Sequence, residues 1–180
     1  MKKEIVFVGK GGQGLGLMGR ILALTAISEK KEVASSPSYG AEVTGGLSQS
    51  EVIISDKTID FPGVLAPDIL VVMSQEGYDN WISKVSKKTK IFFDSDLVKT
   101  ILPRRASHIS ISSTRQATQL SSQKVANMIM LGAVVGITRL VSLSNLFEVV
   151  KEETGKFAET NLDAVREGYK LGKKSLMQKR

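Results

Sequence analysis

Ile5-Val6-Phe7-Val8-Gly9-Lys10-Gly11-Gly12-Gln13-Gly14 is the stretch that decides the fold. Ile5 to Val8 is a short, continuous apolar run rich in β-branched residues, the pattern of a parallel strand covered on both faces. Four glycines follow within six positions. Leu17 to Ser28 is then apolar at most positions, broken mainly by Arg20 and Thr25, which predicts a well-buried helix. Strand, glycine turn and helix in this order are the context that a phosphate-binding turn requires. Glycine takes positive φ and carries no Cβ, so the backbone can approach an anion while the first N–H groups of the helix point at it with the positive end of the dipole. Lys10 adds a full positive charge. Gly9, Lys10, Gly11, Gly12, Gln13 and Gly14 are therefore the first candidate binding residues.

The same spacing satisfies the dinucleotide fingerprint, and a free-standing NAD(P)-dependent Rossmann-type dehydrogenase is one alternative. Such an enzyme carries an acid at the end of its second strand, about 20 residues on, to hold the ribose hydroxyls. Here that region reads Val33-Ala34-Ser35-Ser36-Pro37, without an acid. The loop also lacks the Lys-Ser or Lys-Thr ending of a nucleotide-hydrolysing P-loop. A second alternative is a structural module in which the tight turn binds nothing and only lets strand and helix pack.

Outward from this stretch the chain alternates. Val33-Ala34 is the next strand, and Ser35 to Gly46 is a loop full of turn residues. Glu51 to Ile54 and Thr58 to Phe61 flank Ser55-Asp56-Lys57 and predict a hairpin, hence a mixed sheet. Strands follow at Ile69 to Met73, Ile91 to Phe93 and His108 to Ser112, with a helix at Glu76 to Val85. The remainder is helical: Val125 to Leu140, Asn145 to Glu153, and Phe157 to about Leu176. Gly132 and Gly136 lie one turn apart and either admit another backbone or simply fill core space. The expected fold class is α/β: a three-layer Rossmann-like single domain, 1–180, with a mostly parallel, mixed sheet and a helical C-terminal portion.

Composition narrows the chemistry. The 180 residues include no cysteine, so the chain supplies no iron–sulfur ligand, disulfide or thiolate zinc site. The one histidine, His108, is expected to be structural. A formal charge of +7 welcomes anionic partners, and Lys84, Lys87, Lys88 and Lys90 form one cluster while Lys170, Lys173, Lys174, Lys179 and Arg180 form another. Neither has interleaved aromatics, which argues against nucleic acid. Met1-Lys2-Lys3-Glu4 runs straight into a strand without a signal region, and the run Val125 to Thr138 is shorter than the roughly 20 residues a bilayer requires, so a cytoplasmic protein with no membrane contact is expected.

The segments Gly9-Lys10-Gly11-Gly12-Gln13-Gly14, Pro37-Ser38-Tyr39-Gly40-Ala41-Glu42, Gly45-Gly46, Ile54-Ser55-Asp56, Pro67-Asp68 and Asn127-Met128-Ile129-Met130-Leu131-Gly132-Ala133 fall in an order that resembles the gamma subunit of 2-oxoacid:ferredoxin oxidoreductases. The Ser38 to Glu42 loop is more similar to the 2-oxoglutarate or branched-chain type than to the pyruvate or indolepyruvate types. Thr44 departs from the arginine usual before the Gly-Gly pair, and so from the guanidinium that would clamp a carboxylate.

The resemblance implies that this chain joins alpha and beta subunits, with a ferredoxin-like delta subunit in some assemblies, that carry thiamine diphosphate, Mg2+ and iron–sulfur clusters. The whole would cleave a 2-oxoacid, pass electrons to ferredoxin and place the acyl group on coenzyme A. The resemblance also implies contact between this chain and coenzyme A at the glycine loop. Gly11, Gly12 and Gly14 would shape the turn, and Gln13 would offer its amide to a neighbour or a phosphate. Tyr39, Gly40, Glu42 and Thr44 would face the partner or the active-site mouth. Asn127 either joins that site or pairs with backbone. No residue is assigned a catalytic role.

Overall fold

The computed structural model describes residues 1–36, 46–102, 106–120 and 122–177. Six strands form one sheet in the order β2-β3-β1-β4-β5-β6. They are β1 (Lys2–Lys10), β2 (Glu32–Ser36), β3 (Leu47–Ser55), β4 (Ile69–Val72), β5 (Lys90–Asp94) and β6 (Ser107–Ile111). β1, β4, β5 and β6 run parallel, while β3 lies antiparallel between β1 and β2. The mixed sheet read from the sequence is present. Ile5 to Val8 and all of β4 are buried, as a central strand pair covered on both faces must be.

One face carries the larger core. α1 (Leu15–Ser28), α3 (Ser113–Gln119), α4 (Ala126–Thr138), α5 (Leu143–Thr154) and α6 (Ala158–Met177) pack over Ile5, Phe7, Val52, Val71 and Phe92. The other face is covered thinly, by α2 (Gln75–Trp81), a 3-10 turn at Ile82–Lys84 and irregular segments over Val6, Val8, Leu70 and Val72. Three layers result, with the helical part concentrated on one side. Thr25, the polar interruption in α1, is fully buried and returns its hydroxyl to the Ile21 carbonyl at 2.7 Å, so its burial leaves no unpaired group.

The predicted hairpin is corrected. β3 already has β1 on one edge and β2 on the other, so no edge remains for Thr58 to Phe61. Asp56, in the expected turn, instead binds the Met1 amine and Lys31, each at 2.5 Å. The segment beyond it runs without strand structure, and the Val64 N–H donates to Glu51 at 3.1 Å.

Gly132 and Gly136 admit another backbone. A Cβ on Gly132 would land on the Val165 carbonyl, and one on Gly136 would meet the Tyr169 carbonyl at 2.9 Å. The approach is reciprocal, because a Cβ on Gly168 would land on the Ile129 carbonyl and one on Gly172 would lie 2.6 Å from that of Ala133. Two pairs of glycines, each pair one helical turn apart, bring α4 and α6 into backbone contact.

Candidate binding site at the glycine loop

The helices that leave β1 and β4 go to opposite faces, α1 to the thick layer and α2 to the thin one. Such a divergence marks the carboxyl ends of β1 and β4 as the usual ligand position in an open α/β sheet. Gly9 to Gly14 forms one lip of this switch point, and Met73-Ser74 forms the other.

Gln13 spans the two lips. Its carboxamide oxygen accepts from the Lys10 N–H at 2.6 Å, and its amide donates to the Met73 carbonyl at 2.7 Å. A Cβ on Gly9 would collide with that carboxamide and sit 2.9 Å from the Met73 Cβ, so Gly9 is small because Gln13 is folded over it. The expectation that Gln13 offers its amide outward is thus revised toward an internal clamp. The Gly11 N–H donates to the Gly46 carbonyl at 2.8 Å, and that of Gln13 to Lys10 at 3.2 Å. Gly12 and Gly14 have φ of 87° and 76°, a region that favours glycine.

These bonds sort the donors of the loop. The amides of Lys10, Gly11 and Gln13 are engaged, whereas those of Gly12, Gly14, Leu15, Gly16 and Leu17 have no acceptor among the described residues. α1 has no side-chain cap and no acidic residue in its first turn, so its positive end is uncompensated. Gly12 and Gly16 are exposed, and among the described residues nothing lies within 4 Å of where their Cβ atoms would be. Gly16 has ordinary helical φ and costs its helix about 1 kcal/mol relative to alanine with no packing return. Gly16 closes the glycine-rich stretch but was not among the candidate residues, because the helix was expected from Leu17 and begins at Leu15. The Lys10 side chain is exposed beside this surface.

Asn127, at the start of α4, is 6% exposed and reaches the end of the loop. Its amide lies 3.4 Å from the Gly14 carbonyl, its oxygen accepts from the Met128 N–H at 2.9 Å, and a Cβ on Gly14 would strike it. Asn127 thus joins the loop and pairs with backbone at once. It also lines a hollow of about 580 Å3 that runs from Leu17 past Leu120 and Phe157 to Asn161. Glu153, on its lining, takes a two-bond ion pair from Arg20, at 2.5 and 3.1 Å, and the guanidinium holds that carboxyl below the usual carboxylate range. Tyr39, Gly40, Glu42 and Thr44 lie outside the described residues.

His108 stands elsewhere, with Nε2 at 2.9 Å from the buried Tyr78 hydroxyl. The Leu102 N–H donates to that hydroxyl, and the Ala106 carbonyl, which can only accept, lies 3.2 Å from His108 Nδ1 and so takes a proton from that nitrogen. This is a structural arrangement. Among the described residues no group of three or more His, Asp or Glu is placed to hold a metal ion.

The fold defines a mixed-sheet α/β domain with a glycine loop between its first strand and its first helix. Comparison with known proteins gives the family. Residues 4–171 match the model of the pyruvate ferredoxin/flavodoxin oxidoreductase family, and the chain belongs to it. It is 40% identical over 178 residues to the 2-oxoglutarate synthase subunit KorC of Methanocaldococcus jannaschii, covering 96% of this chain and 95% of that one. The keto/oxoacid ferredoxin oxidoreductase gamma subunit of Geobacter sulfurreducens superposes with a TM-score of 0.83 at 34% identity, over 94% of this chain and 98% of that one. The fold also recurs within a longer chain, the 2-oxoglutarate:ferredoxin oxidoreductase of Magnetococcus marinus, solved with 2-oxoglutarate, coenzyme A and succinyl-CoA bound. There the TM-score is 0.88 at 24% identity, and the match covers 96% of this chain and 31% of that one. The chain is thus a gamma-type subunit of a multi-subunit oxidoreductase. The dehydrogenase alternative also fails on geometry, since β3 separates β2 from β1 and carries the end of the second strand away from the loop.

Proposed function

We propose that this chain is the gamma subunit of a 2-oxoglutarate:ferredoxin oxidoreductase, and that its glycine loop forms part of the coenzyme A site of the assembled enzyme. The KorC likeness over nearly the whole of both chains supports the substrate. The observation that carries the coenzyme reading is the set of amides at Gly12 and Gly14 to Leu17 with no acceptor among the described residues, beside Lys10 and the exposed Gly12 and Gly16.

These donors suit phosphate oxygens, which take several N–H bonds at once from a helix N-terminus. Gln13 and the Gly11–Gly46 bond hold the amides in place before the ligand arrives, so little ordering entropy is lost on binding. The neighbouring hollow, lined by Leu17, Leu120 and Phe157, offers apolar surface to the body of the ligand. Thiamine diphosphate, Mg2+ and the clusters belong to partner alpha, beta and ferredoxin-like subunits, and they supply decarboxylation and electron transfer to ferredoxin. The role of this chain is to bind, orient and help exclude water in the cytoplasmic complex. Tyr39, Gly40, Glu42 and Thr44 belong, in this reading, to the face turned toward the thiamine-bearing partner.

The test is a Gly16→Glu variant in the complex assembled with its partner subunits. An acid in the first turn favours the helix, so the chain should melt at the same or a higher temperature. The added charge should raise the KM for coenzyme A about tenfold while electron release from 2-oxoglutarate without coenzyme A stays unchanged. An unaltered KM would remove the loop from the site. A complex that never forms with thiamine-bearing subunits would remove the subunit reading itself.

A further inference from the structure

The edge of the sheet opposite the glycine loop carries a groove that the coenzyme reading does not use. There the N-terminal ends of β1, β4 and β5 meet the C-terminus of α4. A hollow of about 110 Å3 gathers Lys3, Lys88, Lys90 and Arg139 over Ile69 and Leu140, with Asp68 as its one acid. A second, of about 410 Å3, shares Met1, Arg139 and Leu140 with the first and continues over Val141, Leu143 and Tyr169 to Lys31. Arg139 stands on the ridge between them.

Every acid along this line is already engaged. Asp68 accepts from Lys3 at 3.2 Å and from the Glu4 N–H at 3.0 Å. Asp56 holds Lys31 and the Met1 amine. Glu29 accepts from the Ser142 N–H at 2.6 Å and the Asn145 amide at 3.2 Å. Lys88, Lys90 and Arg139 have no carboxylate within ion-pair distance among the described residues. Lys84 and Lys87 extend the charge along the same acid-free segment.

Arg139 supplies an independent observation. It caps α4 at φ 53°, donating its N–H to the Val135 carbonyl at 2.9 Å. Glycine is the residue that this left-handed position favours, and a bulky side chain there is strained. A cation at a helix C-terminus regains part of that cost, but any lysine beside the helix end would do the same without left-handed backbone.

We propose that this groove docks an extended acidic segment of a partner protein, with carboxylates on Lys88, Lys90 and Arg139 and apolar side chains on the Leu140 floor. Two hollows that share Met1, Arg139 and Leu140, with cations beside an apolar floor, fit an extended peptide better than a lone phosphate, which would also face the carbonyl end of α4. The proposal concerns the edge away from the glycine loop, so it stands or falls apart from the coenzyme reading.

The probe is a fluorescein-labelled hexapeptide of alternating glutamate and leucine, titrated by anisotropy against the full chain at low salt. Arg139→Gly places the favoured residue at the left-handed position, so the variant should keep or gain thermal stability while its affinity falls about tenfold. Lys88→Glu with Lys90→Glu should do at least as much. Lys124→Glu with Lys174→Glu, which line neither hollow of the groove, should change affinity less than about twofold. Equal losses at both pairs would reduce the effect to net charge and overturn the proposal. Absence of binding, or displacement of the peptide by equimolar inorganic pyrophosphate, would overturn it as well.

Discussion

Gln13 shows how one side chain acquires a role that its neighbours in sequence do not announce. Its carboxamide is the only side-chain link, among the described residues, between the loop after β1 and the end of β4. Gln13→Ala would leave the Lys10 N–H and the Met73 carbonyl unpaired, at a cost of about 1–3 kcal/mol, readable as a lower urea midpoint with an unchanged slope. Gln13→Glu should recover the first bond but not the second, because a carboxylate oxygen would face the Met73 carbonyl. Asp94 is the stronger case. It is fully buried at the end of β5 and accepts from the Ser113 hydroxyl at 2.5 Å, the Thr114 N–H and hydroxyl at 2.9 and 2.7 Å, and the Asp96 N–H at 2.9 Å. Asp94→Ala strands these donors and should cost roughly 3 kcal/mol or more, seen in thermal melts of the purified chain. Asp94 is also why α3 exists: Ser113-Thr114-Arg115-Gln116-Ala117-Thr118-Gln119 has one buried apolar side chain, Ala117, and no helical period to read. Its first turn is held by a carboxylate 19 residues earlier.

At the scale of elements, glycine spacing separates two kinds of position. Gly168→Ala would drive a methyl into the Ile129 carbonyl and force α4 and α6 apart, at about 1–3 kcal/mol or more. Gly16→Ala meets nothing and should stabilise the chain by about 0.5–1 kcal/mol; differential scanning calorimetry of the two variants would show shifts of opposite sign. Gly132 and Gly136 were legible as a place where a backbone might come close. That the visitor is α6, through its own Gly168 and Gly172, was not, because helical period places residues on a face without naming the neighbour. The hairpin failed for a related reason. Two short β-rich runs around Ser55-Asp56-Lys57 satisfy the local pattern, but pairing is decided by which strand edges are free, and β1 and β2 occupy both edges of β3.

At the scale of the molecule, distant segments are tied at the lower edge by Asp56, which the Lys31 hydrogen bond and then the Met1 amine hold down to about 2. The ordinary value is about 3.9, so the folded state has the lower pKa. The stabilisation is therefore complete above the ordinary value and is lost as pH falls through about 2. Asp56→Asn should lower stability slightly at neutrality, where the contribution is fully present, and flatten the decline between about pH 4 and pH 2, as denaturation at a series of pH values followed by circular dichroism would show. The exposed site keeps the effect small.

The amino-acid order by itself determined the strand, glycine turn and helix at the start, the apolar centre of the sheet, the helical C-terminal part, and the exclusion of cysteine chemistry. Each is a property of covalent neighbours or of a short period, which need no knowledge of what lies across the fold. Tertiary structure alone decided that Gln13 faces inward, that Gly16 is exposed, that β1 and β2 take the edges of β3 where a hairpin partner was expected, and that Lys88 and Lys90 share a groove with Arg139. Those outcomes depend on which segments meet, and packing and hydrogen-bond satisfaction settle that over the whole chain at once.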